Sequence, residues 1–298
     1  MLDLIVFADA GGTKTVGCAV RLADGANFTA RTGACVPSTD LPAAIAQVDD
    51  LLGDLSRQSG VPLTRDKVAL SISSAGLDDE ETRRAFTAVL ETRCVALHVA
   101  SDGEAALVGC LGSGDGAAMS VGTGVVAYSR RSGHPDLVFD AWGWPAGDRG
   151  GGAYVGREAV EQFLLWVDSG AVESDPLYNA LANLIGATRP TILRWLTGAE
   201  RRDFAAIATT VASAQAAGSD CANAILIDAG AKLRALASIL EEQGHSRICL
   251  TGGLAQTMRP FIDFSKIEIV PDASLAGAKF FASAWLGQSS RSLLREPS

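Results

Sequence analysis

Apolar residues run almost unbroken from Leu2 to Ala8, and a polar, glycine-rich stretch, "DAGGTKT" (9–15), follows at once. Residues 2–9 read as a strand, and "TVGCAVR" (15–21) as a second. "ADG" (23–25) supplies the turn before "ANFTARTG", a third strand. From 41 to 58 the period changes: "LPAAIAQVDDLLGDLSRQ" spaces its apolar residues by three and four, which predicts a helix. "KVALSISSAG" reads as a buried strand ending in small residues, and "DDEETRRAFTAVLETR" (78–93) as a helix whose acidic start and basic end suit its dipole. After a short strand, "CVALHVA", the S-x-x-E sequence "SDGE" (101–104) reads as a capping box opening the apolar "AALVGCL". Ser101 is therefore expected to cap a helix, with Asp102 at the strand-to-helix junction.

The order then begins again. "GAAMSVGTGVVAYSRR" (116–131) is strand, glycine turn and strand, and "SGHPDLVFD" follows as the third strand did in the first half. The loop "AWGWPAGDRGGG" (141–152) breaks the repeat, and helical patterning fills about 153–243, punctuated by Pro176, Gly186, Pro190, Gly198 and Gly218. Strand "RICLTGG", helix "LAQTMRPFI", strand "KIEIV" and helix "SLAGAKFFASAWLG" close the chain before a polar tail expected to fray. Alternating strands and helices imply α/β units with mixed sheets covered by helices. We expect a boundary near 112–116, with a first domain over 1–113 and a second over 114–298. The second carries a helical insertion at about 155–217, and the last helix packs back on the first domain.

Composition narrows the function. The 298 residues are 48% hydrophobic and 20% charged, with 32 glycines, as in a compact globular chain. A net charge of −9 and a pI near 4.9 argue against a nucleic-acid or anionic-membrane partner. No basic n-region opens the chain and no stretch of about 18 apolar residues occurs, so a cytoplasmic protein is expected. The six cysteines (Cys18, Cys35, Cys94, Cys110, Cys221, Cys249) are scattered without a C-x-x-C pair, which argues against a zinc or iron–sulfur site and suits a reducing compartment.

The chemistry-bearing residues cluster at the glycine turns. In "DAGGTKT", Gly11 and Gly12 let backbone N–H groups approach an anion, while Thr13 and Lys14 can donate to phosphate. The stretch is neither a Walker A loop nor a G-x-G-x-x-G fingerprint, and taken alone it is equally a hairpin that needed glycine. "SVGTGVVA" (120–127) repeats the device with Gly122, Thr123 and Gly124 at the equivalent place. Two such turns could hold one polyphosphate from both sides. "LTGGLA" (250–255) adds Gly252 and Gly253, where a base and ribose could lie on bare backbone. Asp9 is positioned to serve Mg²⁺ through water, or else simply completes its own turn. Asp102 is the candidate general base, since His98, His134 and His245 sit in no acidic or glycine-rich constellation. Asp148, with Trp142 and Trp144 beside it, offers a carboxylate and flat apolar faces of the kind that bind a sugar; the alternative is a mobile surface loop.

Together these motifs resemble the N-acetylglucosamine/glucosamine kinases of the actin–hexokinase–Hsp70 ATPase superfamily, in the branch that includes the benzoyl-CoA reductase-type ATPase activators. "DAGGTKT" is similar to the first phosphate loop, "SDGEAAL" to the first connecting segment and "SVGTGVVA" to the second phosphate loop. "WGWPAGDRGGGAYVGREAV" resembles the sugar loop running into its helix and is the most specific of these signals. "LTGGLA" is similar to the adenosine turn and "SLAGAKF" to the second connecting helix, so the match spans roughly 5–285.

The resemblance implies two ribonuclease H-like (actin-like ATPase) domains around a central cleft, using ATP and Mg²⁺ on a small-molecule sugar. It implies Asp102 as base, Asp9 as the magnesium-side carboxylate, and Thr13 and Thr123 on phosphate. Trp142, Gly143 and Asp148 would line the sugar site; Ser74 is a further substrate-binding candidate, and a homodimer is the expected assembly. Ala10 stands where a third glycine is common. Ser38, Thr39 and Asp40 occupy the segment where kinases of N-acetylated sugars often carry asparagine, so Asp40 could favour a free amine. An amino-sugar kinase acting at the 6-hydroxyl is the leading expectation. An ATPase activator of a dehydratase or reductase and a non-catalytic sugar-sensing regulator are the alternatives.

Overall fold

A computed structural model describes residues 2–77, 79–170 and 175–285. The expected polar tail lies outside the described residues. The chain divides into two units, one formed by 1–113 with 272–298 and the other by 114–271.

In the first unit, β1 (Leu4–Ala10), β2 (Thr15–Arg21) and β3 (Asn27–Thr32) form an antiparallel meander, extended by β4 (Val68–Ser74) and β5 (Ala96–Ser101) in the order β3-β2-β1-β4-β5. β4 runs parallel to β1 and β5 parallel to β4. The unbroken apolar run in β1 follows from burial on both faces. Leu4, Val6, Ala8 and Ala10 pack with Val48, Leu51, Leu52 and Leu55 of helix α1 (Leu41–Ser59) and with Phe86 of α2 (Glu80–Leu90). Ile5 and Phe7 on the opposite face meet Ala278 and Ala282 of α10 (Ala273–Ala282). Helix α3 (Asp102–Leu111) packs on α10 with backbones almost in contact: a Cβ at Gly109 would lie 1.9 Å from the Ala273 carbonyl oxygen, and one at Gly277 the same distance from that of Ala105.

The second unit repeats this order. β6 (Gly116–Val121), β7 (Val125–Arg130) and β8 (Leu137–Asp140) form the meander, and β9 (Ile248–Thr251) and β10 (Ile267–Ile269) add parallel strands in the order β10-β9-β6-β7-β8. Between β8 and β9 lie α4 (Gly152–Ser169), α5 (Pro176–Ile185), α6 (Arg189–Gly198), α7 (Arg201–Ala216) and α8 (Asp220–Glu242). Phe163 of α4, Ile207 and Val211 of α7, and Leu226 and Leu233 of α8 join Met119, Val121, Ile248 and Leu250 in one core. The expected helix "LAQTMRPFI" is shorter than its pattern suggested. Only α9 (Ala255–Met258) is α-helical and Arg259–Phe261 is a 3-10 turn, because Pro260 cannot continue the α-helical ladder. Among the described residues no helix is long and apolar enough to cross a membrane.

Candidate active site

The parallel strands β1, β4 and β5 end together, and their carboxyl ends carry the polar residues of the first unit. Asp9 pairs with Ser73, and Ser74 with Ser101, immediately before Asp102. Carboxyl ends of parallel strands are the usual ligand-binding edge of an open α/β sheet. The Ser73 hydroxyl donates to Asp9 Oδ1 at 3.1 Å. Burial lifts the Asp9 carboxyl from 3.8 to about 6; the Ser73 hydrogen bond and Lys14 pull it down, while the charges of Asp102 and Asp272 raise it further.

Asp102 stands in the first turn of α3 behind the expected capping box. Glu104 N–H donates to Ser101 Oγ at 3.2 Å, and Ser101 N–H donates to Glu104 Oε2 at 2.8 Å. The N–H of Gly103 donates to Asp102 Oδ1 at 2.9 Å, and the Ser274 hydroxyl donates to the Asp102 carbonyl at 3.2 Å. In the adjacent turn, Gly11 N–H donates to Lys14 O at 2.9 Å and Cys35 N–H to Gly11 O at 3.0 Å, leaving Gly12, Thr13 and Lys14 exposed. Ser74, a candidate for substrate binding, is fully buried, and its hydroxyl donates to Cys35 O at 3.3 Å. Asp40 is the N-cap of α1, accepting from Ala43 N–H at 2.9 Å.

In the second unit the structure gathers the other glycine turns. Gly122–Gly124 joins β6 to β7, and Leu254 N–H donates to Val121 O at 3.0 Å, which sets the Gly252–Gly253 turn beside it. Gly252 has φ +97°, and a Cβ there would lie 2.5 Å from Val121 O. The first amides of α4 fasten the Gly122–Gly124 turn: Gly152 N–H donates to Gly122 O at 2.8 Å and Ala153 N–H to Thr123 O at 2.9 Å. This anchoring consumes carbonyls, so the N–H groups of Thr123 and Gly124 are not spent on it.

Asp148 lies against the same turn. It is 3% exposed, its backbone has φ +60°, and its Oδ1 accepts from Val125 N–H at 3.0 Å. Arg201 Nη2 approaches Asp148 Oδ2 to 2.9 Å as an ion pair without hydrogen-bond alignment. Trp142, 82% exposed, lines a cleft of about 380 Å³ with Asp140, Arg149 and Lys232. Gly143 beside it has φ +72°. Trp144 packs its ring against Phe204, centroids 5.4 Å apart.

Three residues of these sites had no signal in the sequence reading. Asp140 (φ +56°) begins the loop, and burial shifts its carboxyl upward against the pull of the Arg149 charge. Asp272 reaches Asp9 from 263 positions later in the chain, and Arg201 reaches Asp148 from the first residue of α7. The two non-glycine left-handed residues at 140 and 148 mark the loop as strained, but φ is not visible in composition.

A model of the BadF/BadG/BcrA/BcrD ATPase family matches residues 8–279. The chain belongs to that family. It is 24% identical over 265 residues to the glucosamine kinase GspK of Vibrio cholerae, covering 88% of each protein. The structure of a candidate N-acetylglucosamine kinase from Chromobacterium violaceum superposes with a TM-score of 0.84 at 24% identity, over 94% of this chain and 99% of the other. A ROK family glucokinase from Streptomyces griseus, solved with glucose and AMPPNP, gives 0.54 at 16% identity over 94% and 99%. The two mixed five-stranded sheets with their helices are thus the α/β fold of the actin-like ATPases and ROK sugar kinases. As a member of an ATPase family, the chain uses ATP.

Proposed function

We propose that this chain is an ATP-dependent amino-sugar kinase that phosphorylates glucosamine or N-acetylglucosamine at the 6-hydroxyl. The observation that carries the reading is the placement of Asp102 and Asp9 at the carboxyl end of one sheet, beside a turn whose Gly12, Thr13 and Lys14 are exposed. The glucosamine kinase relative supplies the acceptor class. The glycine turns Gly11–Lys14 and Gly122–Gly124 are the phosphate-binding elements of this reading, with Thr13 and Thr123 as hydroxyl donors. Gly252 and Gly253 present bare backbone to the adenosine, and Trp142, Gly143 and Asp148 serve the sugar.

In transfer, Asp102 accepts the proton of the attacking hydroxyl, whose oxygen bonds to the γ-phosphorus as the bond to the β–γ bridging oxygen of ADP breaks. Gly103 N–H, bonded to Asp102 Oδ1, keeps the carboxylate oriented for that proton. Asp9 suits a cation held through water: it is an enclosed carboxyl that burial and two neighbouring carboxylates hold near 6, a cost that a positive charge would relieve. Among the described residues no group of three or more His, Cys, Asp or Glu side chains could hold a metal ion; Mg²⁺ keeps several waters and needs only one or two carboxylates. When bound, Mg²⁺ supplies neutralisation of phosphate charge.

The test is a coupled ADP-release screen over glucosamine, N-acetylglucosamine, glucose, mannosamine and no sugar. Turnover dependent on an amino sugar supports the reading, and the phosphorus–proton coupling of the product locates the phosphate. Turnover independent of sugar overturns it.

A further inference from the structure

The chain from Val121 to Val125 contains no cation, whereas the first glycine turn carries Lys14. Tertiary structure brings one to the second turn. A Cβ at Gly124 would lie 2.0 Å from Asp148 Oδ1 and 2.2 Å from Arg201 Nη2, so both side chains rest against the turn. The two differ in exposure: the Asp148 side chain is 4% accessible and the Arg201 side chain 43%. Asp148 spends its Oδ1 on Val125 N–H, and its Oδ2 forms no aligned hydrogen bond with Arg201. The guanidinium is thus held beside the carboxylate by charge without an aligned hydrogen bond, and its donor fork is available to another acceptor. Its position is also costly without a reason, since Arg201 opens α7 and a cation at a helix N-terminus opposes the dipole.

We infer that Arg201 is the phosphate-contacting cation of the second glycine turn. It offsets the Asp148 charge beside the turn and turns its exposed N–H groups to a nucleotide phosphate alongside the Thr123 and Gly124 amides. Planar guanidinium forks match phosphate oxygens in pairs, which an exposed lysine cannot do. The inference rests on the nucleotide-binding part of the proposed function and is independent of the sugar.

Calorimetric titration of the full chain with Mg-ATP and, separately, with adenosine tests it. Arg201→Gln is expected to weaken ATP at least tenfold and leave adenosine unchanged, and Arg201→Lys to give an intermediate loss. The double variant Asp148→Asn with Arg201→Gln removes the buried unpaired carboxylate, so it also serves if Arg201→Gln alone unfolds. It is expected to bind ATP at least tenfold more weakly than Asp148→Asn alone. ATP affinity unchanged in Arg201→Gln, or equal in the double variant and Asp148→Asn, overturns the inference and reduces Arg201 to a counter-charge for Asp148. A wild-type chain that binds ATP but phosphorylates no sugar would sink the kinase reading and leave this one standing.

Discussion

The two glycine turns occupy the same place in two sheets of the same order, yet they acquire their chemistry differently. The first is self-sufficient: Asp9 precedes it in the strand and Lys14 lies within it. In the second, Ser120 stands where Asp9 stands in the first, one residue before the last pair of the hairpin, and the turn has no charge of its own. Its charges, Asp148 and Arg201, come from a strained loop and from a helix of the inserted block. The same strand–turn–strand frame can thus be furnished locally or by tertiary packing. The second route demands more of the backbone, because Gly124 must leave room for two side chains.

The largest expected effect tests the furnishing of the first unit. Asp102→Asn keeps the shape of the side chain and the Ser101 cap but removes the base, so kcat should fall roughly 10²–10⁴-fold. ATP affinity, measured by titration, should stay within a factor of about two, since no uniform binding is lost. A variant that retains transfer removes Asp102 from the base role.

Alanine scanning of the second turn sharpens the comparison next. Gly124→Ala forces a Cβ onto Asp148 and Arg201, an overpacking that should cost about 1–3 kcal/mol and lower Tm. At Gly122 nothing lies within 4 Å of the added Cβ, so Gly122→Ala should change stability by less than about 0.5 kcal/mol. It should weaken ATP all the same, by narrowing the approach to the turn. Equal Tm values for the two variants would deny that Asp148 and Arg201 rest on the turn.

Asp9 supplies a pH test. Its folded pKa, about 6, exceeds the ordinary 3.8, so the protonated form is the one the fold favours. That stability is present in full below 3.8 and is lost as pH rises through about 6. In metal-free buffer Asp9→Asn should be more stable than wild type near neutrality, by on the order of 2 kcal/mol, and the gap should close on acidification towards roughly pH 4. Denaturant unfolding at several pH values measures it. A gap that does not vary with pH would show that burial does not hold the carboxyl high.

The smallest effect concerns the helix that holds Asp102. Ser101→Ala removes the hydroxyl that accepts from Glu104 N–H and should cost about 1 kcal/mol, read as a lower denaturant midpoint. If activity falls far more than stability does, the cap orients Asp102 as well as starting the helix.

Much of the molecule was legible before folding. Apolar period gave away the meander strands and α1, because burial on one or both faces dictates which positions can be polar. The capping box at Ser101 and the glycine turns were equally visible, since local hydrogen bonding and backbone freedom are short-range properties. α9 came out shorter than its apolar spacing suggested, because Pro260 outweighs a periodicity only a few residues long. The candidate sugar residues differ in burial for a longer-range reason. Asp148 and Trp142 are six positions apart, yet one is buried under the glycine turn and the other stands in an open cleft with Arg149 and Lys232.

What the sequence determined by itself is therefore the list of elements, their order in two similar halves, and the turns able to meet an anion. Tertiary structure decided which further charges stand at each turn. Asp272 reaches Asp9, and Arg201 reaches Asp148 and Gly124, only after helices have packed on their sheets. The reason is one of range: hydrophobic period and capping act over a few residues, while the electrostatics of a site sums every charge that folding brings within a few ångströms.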